Sequence, residues 1–468
     1  MGTDWRHLAT EDKVSGNSRD FVSASGLRFL TVLCLCVTAL LAGEAAAQKN
    51  SDSDQITYIF QRDDTLFSLG SKYLRKRSDY VTVQRINGIA DPHEIPLGKP
   101  LRIPVRLLKY RPSEARLSAF RGNISVQSGG RNLAPAVGLQ VGEGSDISTA
   151  PRSFLTLQLE DGSRVSLPSS SKVRITRLRH LLLTDSIDYE IAVDKGRIRS
   201  KVAPLEKKAD RYRVRTPVAV SAVRGTDYRT RVDEQSGAVF SETIEGEVVV
   251  AAGTSLSGTS AISVPAGTGA ATSATGAIVK AELLLPPELL DPAKVQSETD
   301  LQFSVVPSAA AIGYRLVIAS DAGFIDIVAE TEGQGTVLDL QTIPNGRYFA
   351  KVTALAPGGF EGMPAIYAFK RQLSTLGGSA DAGDFGYRFK WFGEGEGERF
   401  YRLQILKDSK TSLPIIDETG LRGDTVTLSD LADGEYYWRV GVIQFSSDPD
   451  DLVAIEKWTD FEKLTVVN

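Results

Sequence analysis

The chain alternates apolar and polar residues over most of its length, the two-residue period of strands with one buried face, and only one short region carries helical spacing. That region opens with a predicted strand at Ile56-Thr57-Tyr58-Ile59-Phe60 and continues into Asp63-Asp64-Thr65, residues that cap a helix start. Leu66, Leu69 and Tyr73 then fall three and four apart on one face, Val81 to Ile86 forms a second short helix stopped by Asn87-Gly88, and Leu101-Arg102-Ile103-Pro104 closes with a strand. Residues 55–105 therefore read as a strand–helix–helix–strand module. From 115 to 252 the period is two throughout: Leu155, Leu157 and Leu159 alternate with Thr156 and Gln158, Asp161-Gly162 turns the chain, and Val165 and Leu167 alternate back. Residues 253–282 are almost all Gly, Ala, Ser and Thr and read as a connector with one short strand at 261–264.

The last part repeats. Tyr314-Arg315-Leu316 returns as Tyr401-Arg402-Leu403, and Asn345-Gly346-Arg347-Tyr348-Phe349 returns as Asp433-Gly434-Glu435-Tyr436-Tyr437. Each copy holds short alternating runs and a long strand entered through Asn-Gly or Asp-Gly, which predicts two β-sandwich-like modules over 283–373 and 384–468. Trp391 and Trp438 read as core aromatics of the second copy.

Ahead of all this, Leu27 to Ala42 is an apolar stretch behind Arg28, followed by Gly43-Glu44-Ala45-Ala46-Ala47. A basic residue, a short apolar core and a small-x-small site predict a signal peptide within 1–47, cleaved after Ala47. The alternative is an uncleaved anchor. Cys34 and Cys36 lie inside the leader, so the mature chain carries no cysteine and no disulfide. No later apolar run reaches the roughly 20 residues of a spanning helix, so the mature form is expected not to span the membrane.

The stretch Tyr58-Ile59-Phe60, Asp64-Thr65-Leu66-Phe67-Ser68-Leu69, Asn87-Gly88-Ile89-Ala90-Asp91-Pro92 and Leu97-Gly98-Lys99-Pro100-Leu101-Arg102-Ile103-Pro104 resembles a LysM domain throughout. The resemblance implies a βααβ module that binds peptidoglycan or related N-acetylglucosamine glycans in a groove between two loops. On this chain those loops supply Asp63, Asp64, Thr65 and Leu66 on one side and Ile89, Ala90, Asp91, Pro92 and Ile95 on the other. Asp63 stands where the family commonly has Gly, adding a side chain and a charge at the groove edge. On the residues alone, Leu66, Leu69, Ile86 and Ile103 make a small core, and Asp64 or Thr65 caps a helix.

The segment 115–252 resembles the FecR domain, through Gly122-Asn123-Ile124-Ser125-Val126, Leu159-Glu160-Asp161-Gly162-Ser163-Arg164-Val165, Lys195-Gly196-Arg197-Ile198 and above all the run from Arg215-Thr216-Pro217 to Arg224-Gly225-Thr226-Asp227-Tyr228. The resemblance implies an all-β periplasmic domain. The repeats at the C-terminal end are similar to fibronectin type III domains in architecture. The fold class expected is thus mainly β and multidomain: a small α+β (βααβ) LysM module, an all-β FecR-like domain and two β-sandwich-like C-terminal modules.

Charge adds one asymmetry. The formal sum is -4, yet residues 48–231 hold 33 Lys+Arg against 19 Asp+Glu while 232–468 hold 17 against 34. The near-neutral total argues against a nucleic-acid partner, and the basic half suits attraction to an anionic wall. Catalytic chemistry has little material. Beyond the leader there is no Cys, and the only histidines are His93 and His180, without zinc-ligand spacing. Neither a metal nor a cofactor is expected, and no catalytic residue is singled out. The expected function is a non-enzymatic exported protein of the periplasm or cell envelope that binds glycan through LysM and an envelope protein partner through its other domains. The alternative is a FecR-type signalling regulator held by an uncleaved leader.

Overall fold

A computed structural model describes residues 54–253, 256, 261–448 and 453–467. The predicted leader, with Cys34 and Cys36, lies outside the described residues. Strand Gln55–Ile59, helix Leu66–Tyr73, helix Tyr80–Ile86 and strand Pro100–Pro104 follow in the order read from the sequence, with a single 3-10 turn at Arg77–Asp79 between the helices. The two strands form one small sheet. Leu66, Leu69, Leu74, Val83, Leu101 and Ile103 are buried, and Ile86, expected among them, is half-buried. Gly70 lets the helices meet, because a Cβ there would stand 2.7 Å from the Arg77 carbonyl oxygen.

Eighteen strands from Tyr110–Pro112 to Ile278–Glu282 hydrogen-bond into one closed set. Alternation is the cause: Leu157, Val165, Val173, Ile191, Ile198, Val214, Tyr228, Val248 and Val264 all point into one apolar core. The longest strand, Ser186–Lys201, serves two groups of neighbours. Its first part pairs with Lys172–Leu181 and, in parallel, with Arg211–Arg215; its last part pairs with Asp227–Val232 and Arg164–Leu167. Gly196 sits at the change of partner with φ 74°, a left-handed conformation, and a Cβ there would stand 2.5 Å from the Ser170 carbonyl oxygen. Lys195-Gly196 is thus a bend within one strand.

The connector expected at 253–282 is a correction. Strands Ile262–Pro265, Thr268–Thr272 and Ile278–Glu282 run through it and join the closed set. Small residues are there for close packing. A Cβ on Gly269 would lie 2.7 Å from the Phe360 ring, so the bare backbone admits that ring.

Each C-terminal repeat is a pair of sheets. In the first, Leu301–Ser304 pairs with Val337–Leu340, and Ile327–Gly333, Gly313–Ala319, Gly346–Leu355 and Ala365–Arg371 form the second layer. Phe303, Leu316, Ile318, Leu338, Val352 and Phe369 fill the space between. In the second, Gly377–Gly383, Gly386–Phe392 and Thr425–Leu428 face a sheet built on Arg399–Lys407 and Gly434–Gln444. Trp391 and Trp438 lie buried in its core, as expected from the sequence. Gly346 and Gly434, the repeated turn glycines, have φ of 154° and 152°, so the repeat is conserved in backbone as well as in sequence spacing.

The first sandwich lies against the strand-rich body. Phe154 of the body packs with Val317, Ala319, Phe324 and Ile327, and Phe240 packs edge-on against Phe360 at 5.3 Å. Between these apolar contacts lies an ionic seam. Register explains its charge: Arg199, Arg229 and Glu242 stand side by side on three adjacent strands, with Arg197, Arg231 and Phe240 in a second such row. Across from them Arg315, Val317, Lys351 and Thr353 share the outer face of the sandwich sheet.

Candidate functional site

The two loops predicted to bound a glycan groove leave the same end of the small sheet. Phe60 donates its N–H to the Lys99 carbonyl at 3.0 Å and accepts from the Gly98 N–H at 2.9 Å, which ties the start of the first loop to the end of the second. In the first loop the polar groups are turned inward to hold it. Asp64 Oδ2 accepts from the Tyr58 hydroxyl and from the Gln61 N–H, each at 2.8 Å. Burial first, and the Asp64 carboxylate second, push the Tyr58 hydroxyl well above its usual range. Thr65 is the N-cap of helix Leu66–Tyr73: its Oγ1 accepts from the Ser68 N–H at 2.9 Å while Ser68 Oγ accepts from the Thr65 N–H at 2.9 Å, a reciprocal capping box. Leu66 is 2% exposed and belongs to the core.

Like Gln61, Arg62 and Thr65 of the same loop, Asp63 is exposed. Its φ is 71°, the left-handed region that suits glycine and that Asp tolerates better than most side chains. The backbone of a glycine is thus kept here without the glycine.

In the second loop Ile89 is 8% exposed, and the Gln84 side-chain amide donates to its carbonyl at 3.1 Å. Asp91 caps a tight turn, its Oδ1 accepting from the His93 N–H at 2.8 Å. Ala90 and Asp91 are exposed, and Pro92 and Ile95 half-buried. Of the nine residues singled out, Leu66 and Ile89 are buried inside, Asp64 and Thr65 hold the first loop in shape, and Asp63, Ala90, Asp91, Pro92 and Ile95 present surface. Sequence reasoning passed over Leu97 and Ile59, which are 63% and 51% exposed beside these loops. The signal was available: an apolar residue between Pro96 and Gly98 in a turn has no core to reach. Exposed aliphatic surface beside a few polar groups is what a sugar ring requires.

Two ionic clusters centre on buried carboxylates of the strand-rich body. In one, Asp188 meets Arg211 at 2.8 Å and Arg213 at 3.4 Å, and Glu190 meets Arg213 at 3.4 Å and Arg215 at 3.2 Å, following the parallel register of their strands. Burial opposes ionisation of Glu190, but the Arg215 hydrogen bond and the Arg213 charge hold its carboxyl below the usual range. The run Arg224-Gly225-Thr226-Asp227 is part of the scaffold. Gly225 has φ 74°, Thr226 donates to the Glu247 carbonyl at 3.1 Å, and Asp227 accepts both Nε and Nη2 of Arg199 at 2.8 and 2.6 Å. The second cluster is the seam, where Glu361 accepts from Arg229 at 2.7 Å and Thr353 at 2.9 Å, and its N–H donates to Glu242 at 2.6 Å. Two carboxylates therefore share Arg229. Burial raises the Glu242 carboxyl to about 7, while Glu361, nearer the greater number of arginines, stays below the usual range against its own burial. The sequence could not pair Glu361 with Arg229 and Glu242, which lie 132 and 119 positions away.

Among the described residues no group of His, Cys, Asp and Glu could hold a metal ion, and no helix is long and apolar enough to cross a membrane. His93 is exposed, and His180 Nδ1 lies 3.3 Å from Asp185.

Residues 58–104 match the family model described as LysM domain, and residues 145–249 match that described as FecR protein. Among solved structures, a candidate anti-sigma factor from Parabacteroides distasonis ATCC 8503 is 18% identical over 29% of this chain and 59% of its own, with a TM-score of 0.24. The chain thus spans about three fifths of that protein's length. A segment of two fibronectin type III domains from chicken tenascin is 16% identical, covering 38% of this chain and 97% of its own, with a TM-score of 0.18. The FN1-FN3 domains of chicken CNTN1 are 13% identical, covering 54% and 95%, with a TM-score of 0.20. No curated protein matches.

Proposed function

We propose, for a chain that joins a LysM domain to a FecR domain, a non-catalytic role at the bacterial cell envelope: LysM holds an N-acetylglucosamine-containing wall glycan, and the rest of the chain is an arm that presents surface to an envelope protein partner. The observation that carries this reading is the LysM match over 58–104 together with the exposed Asp63, Ala90, Asp91 and Leu97 on its two adjoining loops. The first loop is held by its own hydrogen bonds, so little ordering cost falls on binding. The LysM match supports a place outside the cytoplasm, and a leader cleaved after Ala47 is the route this reading requires. The excess of Lys and Arg over 48–231 favours encounter with an anionic wall.

The test is co-sedimentation with insoluble peptidoglycan, comparing the chain with a form lacking residues 55–104. Retention of the first alone supports the reading, and equal retention overturns it. The FecR match favours a second reading, a signalling regulator anchored by its leader. Sequencing the N-terminus of the protein recovered from cells separates the two, because a chain beginning at Gln48 has no anchor.

A further inference from the structure

The seam between the FecR domain and the first sandwich encloses a cavity of about 50 Å³. On the same measure one water needs about 10–15 Å³, so the space admits more than a single water. Its walls carry cationic donors from both domains. Arg199 commits Nε and Nη2 to Asp227, and among the described residues its Nη1 meets no acceptor. Arg315 gives Nη2 to Glu330 and holds Glu332 only at 3.6 Å from Nη1. Among the described residues no carboxylate lies within ion-pair distance of Lys351, and its Nζ lies 4.3 Å over the Phe324 ring. Ser166 lines the same space, with a hydroxyl able to donate.

Lys351 is half-buried, and an ammonium partly removed from water with no carboxylate beside it is costly. Burial, then repulsion from Arg199, pulls the Lys351 amine well below its usual range, with Arg229 and Arg315 adding to the effect and Glu361 alone opposing it. Glu242, Glu330 and Glu361 line the same space, but each is already met by Arg229 or Arg315, which leaves Lys351 and Arg199 Nη1 as the donors turned to the cavity without a carboxylate. We propose that this cavity binds a small oxyanion, of carboxylate or phosphate type, held by Lys351, Arg199 and Arg315 and bridging the FecR domain to the first sandwich. Donors from two domains converge on one point, so the anion would act as a clamp between them. This site is separate from the LysM groove and stands whether or not the chain binds glycan.

The test is thermal unfolding of the full chain at constant ionic strength, with chloride replaced stepwise by inorganic phosphate or by acetate. The expected result is a melting temperature that rises by a few degrees and saturates at millimolar anion, as ligand linkage requires. Response to one anion and not the other assigns the class. Lys351→Met and Lys351→Gln should show no saturating response. The absence of a saturating rise in the parent chain overturns the proposal and leaves Lys351 a neutral amine beside water. An equal rise in the parent and both variants also overturns it, because the anion then binds elsewhere.

Discussion

Replacing Glu361 with Gln tests whether the FecR domain and the first sandwich form one cooperative unit. Glu361 is 8% exposed. It receives hydrogen bonds from Arg229 and Thr353 and lies 3.4 Å from Arg197, so the substitution removes the negative charge and leaves two guanidinium groups without it. Breaking a buried pair from one side costs about 3–5 kcal/mol, and the retained amide oxygen of Gln places the expectation near the lower end, about 3 kcal/mol. For a unit of this size each kcal/mol moves the melting temperature by about 2–4 °C, so the expected fall is roughly 6–12 °C. The tryptophans provide an internal control. Trp391, Trp438 and Trp458 all belong to the second sandwich, and the fourth, Trp5, lies within residues 1–47, where the sequence predicts a leader. Tryptophan emission of the chain without its leader therefore follows the second sandwich, while far-ultraviolet dichroism and calorimetry follow the whole molecule. Glu361→Gln should lower the transition seen by calorimetry and leave that seen by emission nearly in place. A fall below about 2 °C would refute the cooperative seam, and an equal shift in both signals would refute the separateness of the second sandwich.

Three further outcomes are expected. The Glu242 carboxyl is raised to about 7 in the folded protein from an ordinary value of 4.5, so the stability tied to its protonation is fully present below the ordinary value and is lost as pH rises through 7; the difference in melting temperature between the parent and Glu242→Gln should therefore change with pH between 5 and 8, and a constant difference would show that Glu242 is ionised throughout. Asp63→Gly keeps the left-handed backbone and removes the charge at the groove edge, so calorimetric titration with N-acetylglucosamine oligomers should show tighter binding; unchanged affinity places the Asp63 side chain away from the sugar. Trp438→Ala empties a site that is 1% exposed in the second sandwich and should cost about 3–5 kcal/mol there. Peptidoglycan co-sedimentation of that variant should equal the parent's, and its loss would mean that the second sandwich takes part in wall binding.

What could be read from the sequence follows from the range of the interactions involved. Period-two alternation, the Thr65 cap and the glycine turns are local, so the strand–helix–helix–strand module and the strand-rich body were legible residue by residue. The repeat of Asn345-Gly346 as Asp433-Gly434 announced two like modules because both copies need the same backbone at the same place. The connector at 253–282 was misread because low side-chain volume was taken for flexibility. Gly269 is small for the opposite reason, since the Phe360 ring comes within 2.7 Å of where its Cβ would be. The same limit hid the seam. Alternation places Arg197 and Arg199, or Arg229 and Arg231, on one face, but only the register of three strands shows that these arginines form adjoining rows, and only tertiary packing brings Glu361 to them.

That seam bears on how the domains work together. A string of independent modules has narrow, mainly polar junctions, and the junction between the two sandwiches is of this kind, with Lys457 reaching Glu298 at 2.6 Å and Asn345 reaching Glu396 at 3.0 Å. The junction between the FecR domain and the first sandwich differs in kind. Two apolar clusters flank buried charges, Arg121 grips Asp326 through two bonds of 3.0 and 2.9 Å, and the Thr156 hydroxyl donates to the Ile325 carbonyl at 2.8 Å. Buried arginines of this kind are stable only while their carboxylates face them, so separating the domains exposes charge that each surface was built to neutralise. The face of the FecR domain that carries Arg197, Arg199, Arg229 and Arg231 is therefore occupied by the chain's own sandwich, and it opens to any other molecule only if Glu361 leaves Arg229.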